Sequence, residues 1–477
     1  MTFYLILFAL VVLVCVTSSK LLYRFGVPAL LIFLVLGMLS GSDGIIGIQF
    51  NDYNMAETAC SLALVFIMFY GGFGTNWKMA KPIAPQAILM STLGVLLTAV
   101  LTGLFSYLVL ETTLLESLLL GAVVGSTDAA SVFSILRSRK LDLKGGLSSL
   151  LEVESGSNDP CAYMMTMILL TFITGEGENI ILMLFKQVGF GLLIGFGLAK
   201  LAVFLLKRFR LEIEGLYPIF VMAIAVLSYA LSDFTGGNGY LSVYLTGIII
   251  GNSKIPHKKS LVRFFDGISW IMQIMLFFML GLLSFPSQLQ LITGTGLLIA
   301  LFMLFVARPA ATFAILSWFK VPVKQQLFVS WVGLRGAASI VFAIMAITRV
   351  SGLGTDIFHI VFFIALFSVA VQGSLLPLVA KKLDLVDTSE SVLKTFNDYE
   401  EELSGKLTEM VLNTGNPWIG QTLLGANIPE GILIVMIKRG KETIVPNGST
   451  ELCLGDVLVM NGADMAVQEL FEQFSFQ

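Results

Sequence analysis

The sequence predicts an all-α polytopic membrane protein of about thirteen transmembrane helices, with inverted repeats and crossed discontinuous helices, ending in a small cytosolic α/β domain. Three observations carry this expectation. Apolar residues make up 56% of the chain against 13% charged ones, too apolar a balance for a water-soluble protein of ordinary size. The apolar runs have lengths that suit a bilayer. The basic residues between them fall on alternate sides.

Runs of roughly 17 to 25 apolar residues count as spans, with shorter ones allowed where glycine interrupts them. Thirteen result, near 3–19, 27–41, 57–74, 86–109, 114–136, 148–174, 179–206, 216–232, 239–253, 264–284, 291–318, 325–347 and 357–380. Alternate loops carry Lys20/Arg24, Lys78/Lys81, Arg137/Arg139/Lys140/Lys144, Lys207/Arg208/Arg210, Lys254/Lys258/Lys259/Arg263, Lys320/Lys324 and Lys381/Lys382. The intervening loops are acidic, with Arg349 their one clear cation. Because Lys and Arg collect on the cytoplasmic side, the N-terminus is expected outside and everything after Lys382 inside. Thr2 to Val16 lack a basic leader and a small-residue cleavage site, so the first span is expected to be retained. Cys15, Cys60, Cys161 and Cys453 lack CxxC spacing and suggest neither a disulfide framework nor a metal knuckle.

Beyond residue 382 the composition changes. Residues 383–400 are expected to be a charged linker and 401–477 a folded domain, where the short apolar runs Ile432 to Ile437 and Val457 to Met460 are bounded by turn residues. Residues 1–382 form the membrane domain. Within it, Gly125-Ser126-Thr127-Asp128-Ala129-Ala130-Ser131 and Gly333-Leu334-Arg335-Gly336-Ala337-Ala338-Ser339 share Gly and Ala-Ala-Ser at equal spacing. The two segments sit seven spans apart and therefore run in opposite directions. Matched, glycine-interrupted segments in antiparallel spans are the pattern of inverted-repeat transporters with broken helices near the midplane.

Ionisable groups inside spans are costly unless they pair or line a cavity, so each is a functional hypothesis. The set here is Asp128, Glu154, Asp159, Arg308 and Arg335. In Glu152 to Pro160, helical spacing puts Ser155 and Asp159 on one stripe and Glu154 and Asn158 on the next. Pro160 removes a backbone donor and Gly156 loosens the helix, which frees carbonyls near the acids. A desolvated carboxylate with oxygen neighbours holds either a proton or an alkali cation, and competition for that one group at Asp159 yields obligatory exchange. Thr127 offers a hydroxyl. Asp128 lies where the fifth span must unwind, either bridged to Arg335 or taking part in coordination, and Glu154 is expected in a structural pair. Arg308 and Arg335 can neutralise buried acids permanently because Arg stays charged. Arg308, before Pro309, serves Glu154 or the helix ends equally well.

Thr127-Asp128, Glu154-Ser155 with Asn158-Asp159, and Gly333-Leu334-Arg335-Gly336 resemble, in order and location, the motifs of NhaP-type cation:proton antiporters, a group that includes the sodium/proton exchangers. The resemblance covers residues 1 to about 382. It implies a mobile core domain, a dimerisation domain, elevator-like alternating access and a homodimer in the bacterial inner membrane. It assigns cation and proton binding to Asp159, Asn158, Ser155, Thr127, Asp128 and Glu154, and the Asn-Asp pair implies electroneutral exchange. One departure is visible, since Phe69-Tyr70 stand before Gly71-Gly72 where many relatives have an acid.

The tail, through Asn416 to Gly420, Leu423 to Pro429, Ile434 to Arg439 and Leu454 to Leu458, resembles the RCK_C (TrkA-C) domain of potassium channels and transporters. That module commonly dimerises and binds a small regulator, in some Gram-positive homologues cyclic di-AMP. Ile428, Pro429, Ile432 and Ile434 are the residues expected at such a ligand pocket. The tail favours potassium over sodium as cargo. No GxGxxG follows a strand, so the nucleotide-binding RCK_N partner is absent.

Other classes fit less well. A tail-gated cation channel or uniporter is the alternative, but no filter loop such as TVGYG occurs. A membrane enzyme would need a nucleophile with its base or a metal cluster, and only His257 and His359 are present, both near span ends and expected to be solvated. No cofactor, resident metal or nucleic acid is implied; the ligands are the transported K+ or Na+, H+, and the regulator of the tail. Lys186 and Lys200 are expected to snorkel.

Overall fold

A computed structural model describes residues 9–17, 29–139, 141–175, 179–208, 212–350, 352–387, 407–413, 416–426, 428–429, 432–440 and 442–462. The chain divides into two compact units, Met1–Leu393 and Lys394–Gln477.

The first unit is helical. Its helices are α1 (9–17), α2 (Ala29–Ser40), α3 (Tyr53–Gly74), α4 (Trp77–Leu110), α5 (Leu114–Val123), α6 (Ala129–Ser138), α7 (Leu147–Thr174), α8 (Ile180–Arg208), α9 (Leu216–Phe234), α10 (Gly239–Gly251), α11 (Lys258–Leu282), α12 (Pro286–Leu316), α13 (Val323–Trp331), α14 (Ala337–Arg349) and α15 (Ile357–Lys382). Among the described residues, α3, α4, α8, α9, α11, α12 and α15 are long and apolar enough to cross a membrane on their own. Among the described residues, each of the thirteen expected spans overlaps one helix, except the fifth and the twelfth. Those two are each broken into a pair of short helices, α5/α6 around residues 124–128 and α13/α14 around residues 332–336.

Helix starts follow local capping chemistry. The side chains of Asp52, Asn76, Thr113, Asn238 and Asp356 accept from backbone N–H groups of the first turn of α3, α4, α5, α10 and α15, satisfying donors that an α-helix leaves open. Small residues then let helices approach closely, as where α3 and α10 meet at Gly72 and Gly247 with their backbones in contact. Three long helices carry a π-turn, at Met90–Gly94 in α4, Met303–Ala307 in α12 and Ser368–Gly373 in α15. Such bulges are concentrated at functional positions.

At one end of the unit, β1 (Asp142–Leu143) pairs antiparallel with β2 (Val386–Asp387). The loop after α6 is thereby tied to the chain leaving α15. The Lys144 N–H donates to the Leu385 carbonyl at 2.9 Å, and Leu143 and Leu385 enter an apolar cluster with Leu147, Leu316, Phe328 and Leu376.

The second unit is a four-stranded antiparallel sheet of β3 (Leu407–Val411), β4 (Ile432–Arg439), β5 (Glu442–Ile444) and β6 (Val457–Gly462), in the order β3-β6-β4-β5. No helix occurs in it among the described residues. Met410, Leu412, Trp418, Ile434, Ile437, Leu452, Leu458 and Met460 form its core. Buried Asp456 accepts two hydrogen bonds from the Arg439 guanidinium, both at 2.8 Å, and one from the Cys453 N–H at 2.9 Å. These donors, Arg439 foremost, hold its carboxyl below the usual carboxylate range.

Candidate ion-exchange site

The two breaks touch each other. The Asp128 N–H donates to the Leu334 carbonyl at 2.8 Å, so the interruption of one span meets the interruption of the other. Gly336 permits the approach, because a Cβ there would overlap Cβ of Asp128. An unwound segment in an apolar setting leaves carbonyls without helical donors, which is tolerated only where other groups satisfy them. Arg335 supplies that service. Its Nη1 donates to the Gly125 and Ser126 carbonyls at 2.7 and 2.9 Å, while its backbone N–H donates to Ser368 Oγ at 3.0 Å from the π-turn of α15.

Asp128 is half-buried and caps α6. Its carboxylate accepts from the Ser131 N–H at 3.2 Å and from Ser131 Oγ at 2.5 Å. Of the two roles expected of Asp128, a bridge to Arg335 or a part in coordination, neither is decided by these contacts: the guanidinium goes to the carbonyls just before Asp128, and the carboxylate reaches the start of its own helix. Among the described residues of this unit, a buried acid-base pair is Glu154 with Arg308, whose guanidinium donates to Glu154 Oε1. Of the two roles open to Arg308, neutralising Glu154 is the one observed. The π-turn Met303–Ala307 ends immediately before it.

Helix α7 lies against the first break. Asp159 is buried, and its carboxylate accepts from Ser126 Oγ. Asn158 is fully buried; its Nδ2 donates to Thr127 Oγ1 at 2.5 Å, and its Oδ1 has no partner among the described residues. Ser155 Oγ donates to the Thr127 carbonyl at 2.6 Å. One face of α7 and one unwound segment thus bring Ser126, Thr127, Ser155, Asn158 and Asp159 together, with Glu154 and its Arg308 on the adjoining face. Gly156 has a packing role besides loosening the helix, because a Cβ there would overlap the ring of Tyr244 from α10. Pro160 leaves α7 continuous, and its carbonyl receives Asn238 Nδ2 at 2.8 Å.

Chemically, the site is a buried cluster of hydroxyl, carboxamide and carbonyl groups beside the Asp159 carboxylate. Hard oxygen donors suit alkali cations, and the same carboxylate is a proton acceptor. Four residues of this machinery escape the motif-based expectation. Ser126 sits inside the first glycine-interrupted motif, beside Thr127, and its place in an unwound segment is the signal that points to it. Asn238, Ser368 and Gln372 carry no such signal. Gln372 accepts from Ser368 Oγ through its Oε1 and donates to the Trp331 carbonyl at 3.1 Å, contacts that only tertiary packing creates. His359, expected to be solvated, is buried: its Nδ1 lies 2.6 Å from the Asp356 carboxylate and its Nε2 accepts from the Phe285 N–H at 3.2 Å. His257 is half-exposed beside Glu214.

Residues 6–382 match the family described as sodium/hydrogen exchanger, transmembrane. The chain belongs to this family. Residues 407–475 match the TrkA-C domain, so the exchanger carries that module on its tail. Among its relatives, the K(+)/H(+) antiporter NhaP2 of Shewanella sp. (strain MR-4) is 36% identical, over 98% of this chain and 82% of the relative. The K(+)/H(+) antiporter NhaP of Alkalimonas amylolytica is 35% identical, over 94% and 79%. In fold, the exchanger is similar to the sodium proton antiporter MjNhaP1 from Methanocaldococcus jannaschii at pH 8, with a TM-score of 0.70 over 79% of this chain and 97% of that one at 23% identity.

In the tail, Ile434 is buried in the sheet's own core, Ile428 and Ile432 pack partly buried against it, and Pro429 is exposed.

Proposed function

We propose that the protein exchanges a monovalent cation for a proton electroneutrally, by alternating access around Asp159. The observation that carries this is the buried Asp159 carboxylate, bonded by the Ser126 hydroxyl and neighboured by Ser155 and Asn158, which are tied to Thr127, at the contact of two broken helices. Glu154 is neutralised by Arg308, which leaves Asp159 to alternate between one proton and one cation; Asp128 keeps the α6 cap and lends its charge nearby. Potassium is the favoured cargo over sodium, supported by the K(+)/H(+) names of the relatives and by the TrkA-C tail.

In this reading residues 1–382 are the transport domain, 383–400 a linker and 401–477 a regulatory domain. The protein is a homodimer in the inner membrane, with its N-terminus outside and its tail in the cytoplasm. A small regulator, a nucleotide such as cyclic di-AMP, binds the tail near Ile428, Pro429 and Ile432, with Ile434 behind them. The regulator acts by its differential affinity for active and inactive populations.

The deciding experiment uses the purified full chain in liposomes. A pH gradient should drive uptake of potassium, tested against sodium, in the wild type; an imposed membrane potential at clamped pH should leave the initial rate unchanged. Asp159→Asn should abolish exchange while remaining folded. Uptake that follows the potential, or exchange that survives Asp159→Asn, would refute the proposal; the first result would favour a channel or uniporter.

A further inference from the structure

We infer that Ser126 is the positioning residue that sets the balance between proton and cation at Asp159, a step that rests on the reading of Asp159 as the exchange carboxylate. Among the described residues, the Asp159 carboxylate has one side-chain donor, and it is the Ser126 hydroxyl. That hydroxyl is buried, and the backbone carrying it is fixed independently: Arg335 Nη1 grips the Ser126 carbonyl at 2.9 Å and the preceding carbonyl of Gly125 at 2.7 Å. Arg335 is itself held at its backbone by Ser368. The side chain aimed at Asp159 is therefore mounted on a segment clamped from the opposite broken helix.

A hydroxyl is suited to this task because it is both donor and acceptor. With Asp159 ionised and the site empty, it donates to the carboxylate and stabilises the anion. With Asp159 protonated, the acid's O–H can donate a hydrogen bond to Ser126 Oγ, so the acid is not stranded. With a cation present, the hydroxyl oxygen turns a lone pair to the ion. An apolar residue at position 126 would offer none of these, leaving a dry carboxylate whose easiest relief is to keep its proton. The other charged and titratable groups facing Asp159 are already accounted for. Asp128 caps α6 while its charge bears on Asp159, Glu154 is paired with Arg308, Arg335 is spent on carbonyls, and Tyr244 on α10 packs against Gly156 of α7.

Loss of one charge-assisted hydrogen bond is worth roughly a tenfold change or more in proton affinity. In the full chain reconstituted in liposomes, Ser126→Ala should move the pH profile of exchange to the alkaline side by about one pH unit and raise the apparent KM for potassium about tenfold at the wild-type optimum. Ser126→Thr, which keeps a hydroxyl, should restore both. Protection of the protein against heat by potassium, followed across pH, should move in parallel and reads binding without turnover. A folded Ser126→Ala protein with the wild-type profile and KM overturns the inference, as does a Ser126→Thr variant equally displaced. If Ser126→Ala does not fold, Ser126→Cys serves in its place: its weaker donor should displace the profile in the same direction by less, and an unmoved profile overturns the inference. Unchanged behaviour of Ser126 variants alongside an inactive Asp159→Asn would sink this inference alone, whereas an active Asp159→Asn would remove the reading beneath it.

Discussion

The two breaks carry the same frame and do opposite work. Gly125 to Ser131 and Gly333 to Ser339 share their glycine and their Ala-Ala-Ser, and each interrupts a span at the point where the other does. Between those shared residues, the first break has Ser-Thr-Asp and the second Leu-Arg-Gly. The first therefore presents hydroxyls and a carboxylate, two of them engaged with α7. The second presents a guanidinium that satisfies the first break's carbonyls. Asp128 caps its half-helix, whereas α14 follows Gly336, which has no side chain to cap with and leaves room for the Asp128 side chain. The repeat builds the crossing, and its divergence makes one side the ligand set and the other the support.

That division is most directly broken at Arg335. Arg335→Ala leaves two buried carbonyls without their donor, at about 1 to 3 kcal/mol each and so roughly 2 to 6 kcal/mol together. Arg335→Lys keeps a charge and part of the donation and should lose less than half of that. Thermal unfolding in detergent measures both, and equal melting of the two variants would show that charge and fork geometry play no separate parts.

Gly336→Ala comes next. A methyl there overlaps Cβ of Asp128 and must displace one break from the other, at a cost of about 1 to 3 kcal/mol. Adding Asp128→Gly removes the atom it meets, so a double-mutant cycle should show the two changes to be coupled. Additive losses would mean that the breaks do not bear on each other.

Asp128 should show the smallest effect. Asp128→Ala loses the α6 cap and about 0.5 to 2 kcal/mol, while Asp128→Asn keeps a capping acceptor and should melt within a few tenths of the wild type. If exchange in liposomes falls in Asp128→Asn despite that stability, the charge serves the ion as well as the helix.

Much of the membrane architecture is legible in the sequence because lipid imposes it: an apolar run must be helical, and its length must match the bilayer. The breaks are legible too, since glycine and polar residues clustered inside an apolar run weaken the helix where lipid would otherwise demand one. Partner choice is not. Arg308 and Arg335 look equivalent in sequence, yet one neutralises Glu154 and the other serves carbonyls, a distinction set by which helix faces which. The π-turns are equally hidden, as Met303-Leu-Phe-Val-Ala307 has the same apolar character as the regular helix before it. The burial of His359 is hidden as well: a place near a span end suggests solvent, and local sequence gives no hint of the Phe285 N–H that folds against it.

The small β1/β2 pairing has a mechanical consequence. Two ladder pairs, Asp142 with Asp387 and Leu143 with Val386, and an exposed Lys144–Asp384 contact at 3.2 Å tie the emerging chain to the strand that follows α6. An exposed ion pair of this kind contributes about 0 to 1 kcal/mol, and two residue pairs form a short ladder, whereas α15 is a 26-residue helix. The strand pair is therefore a far weaker tie than the helix it follows, and parting it would free the strand behind α6 without unwinding α15.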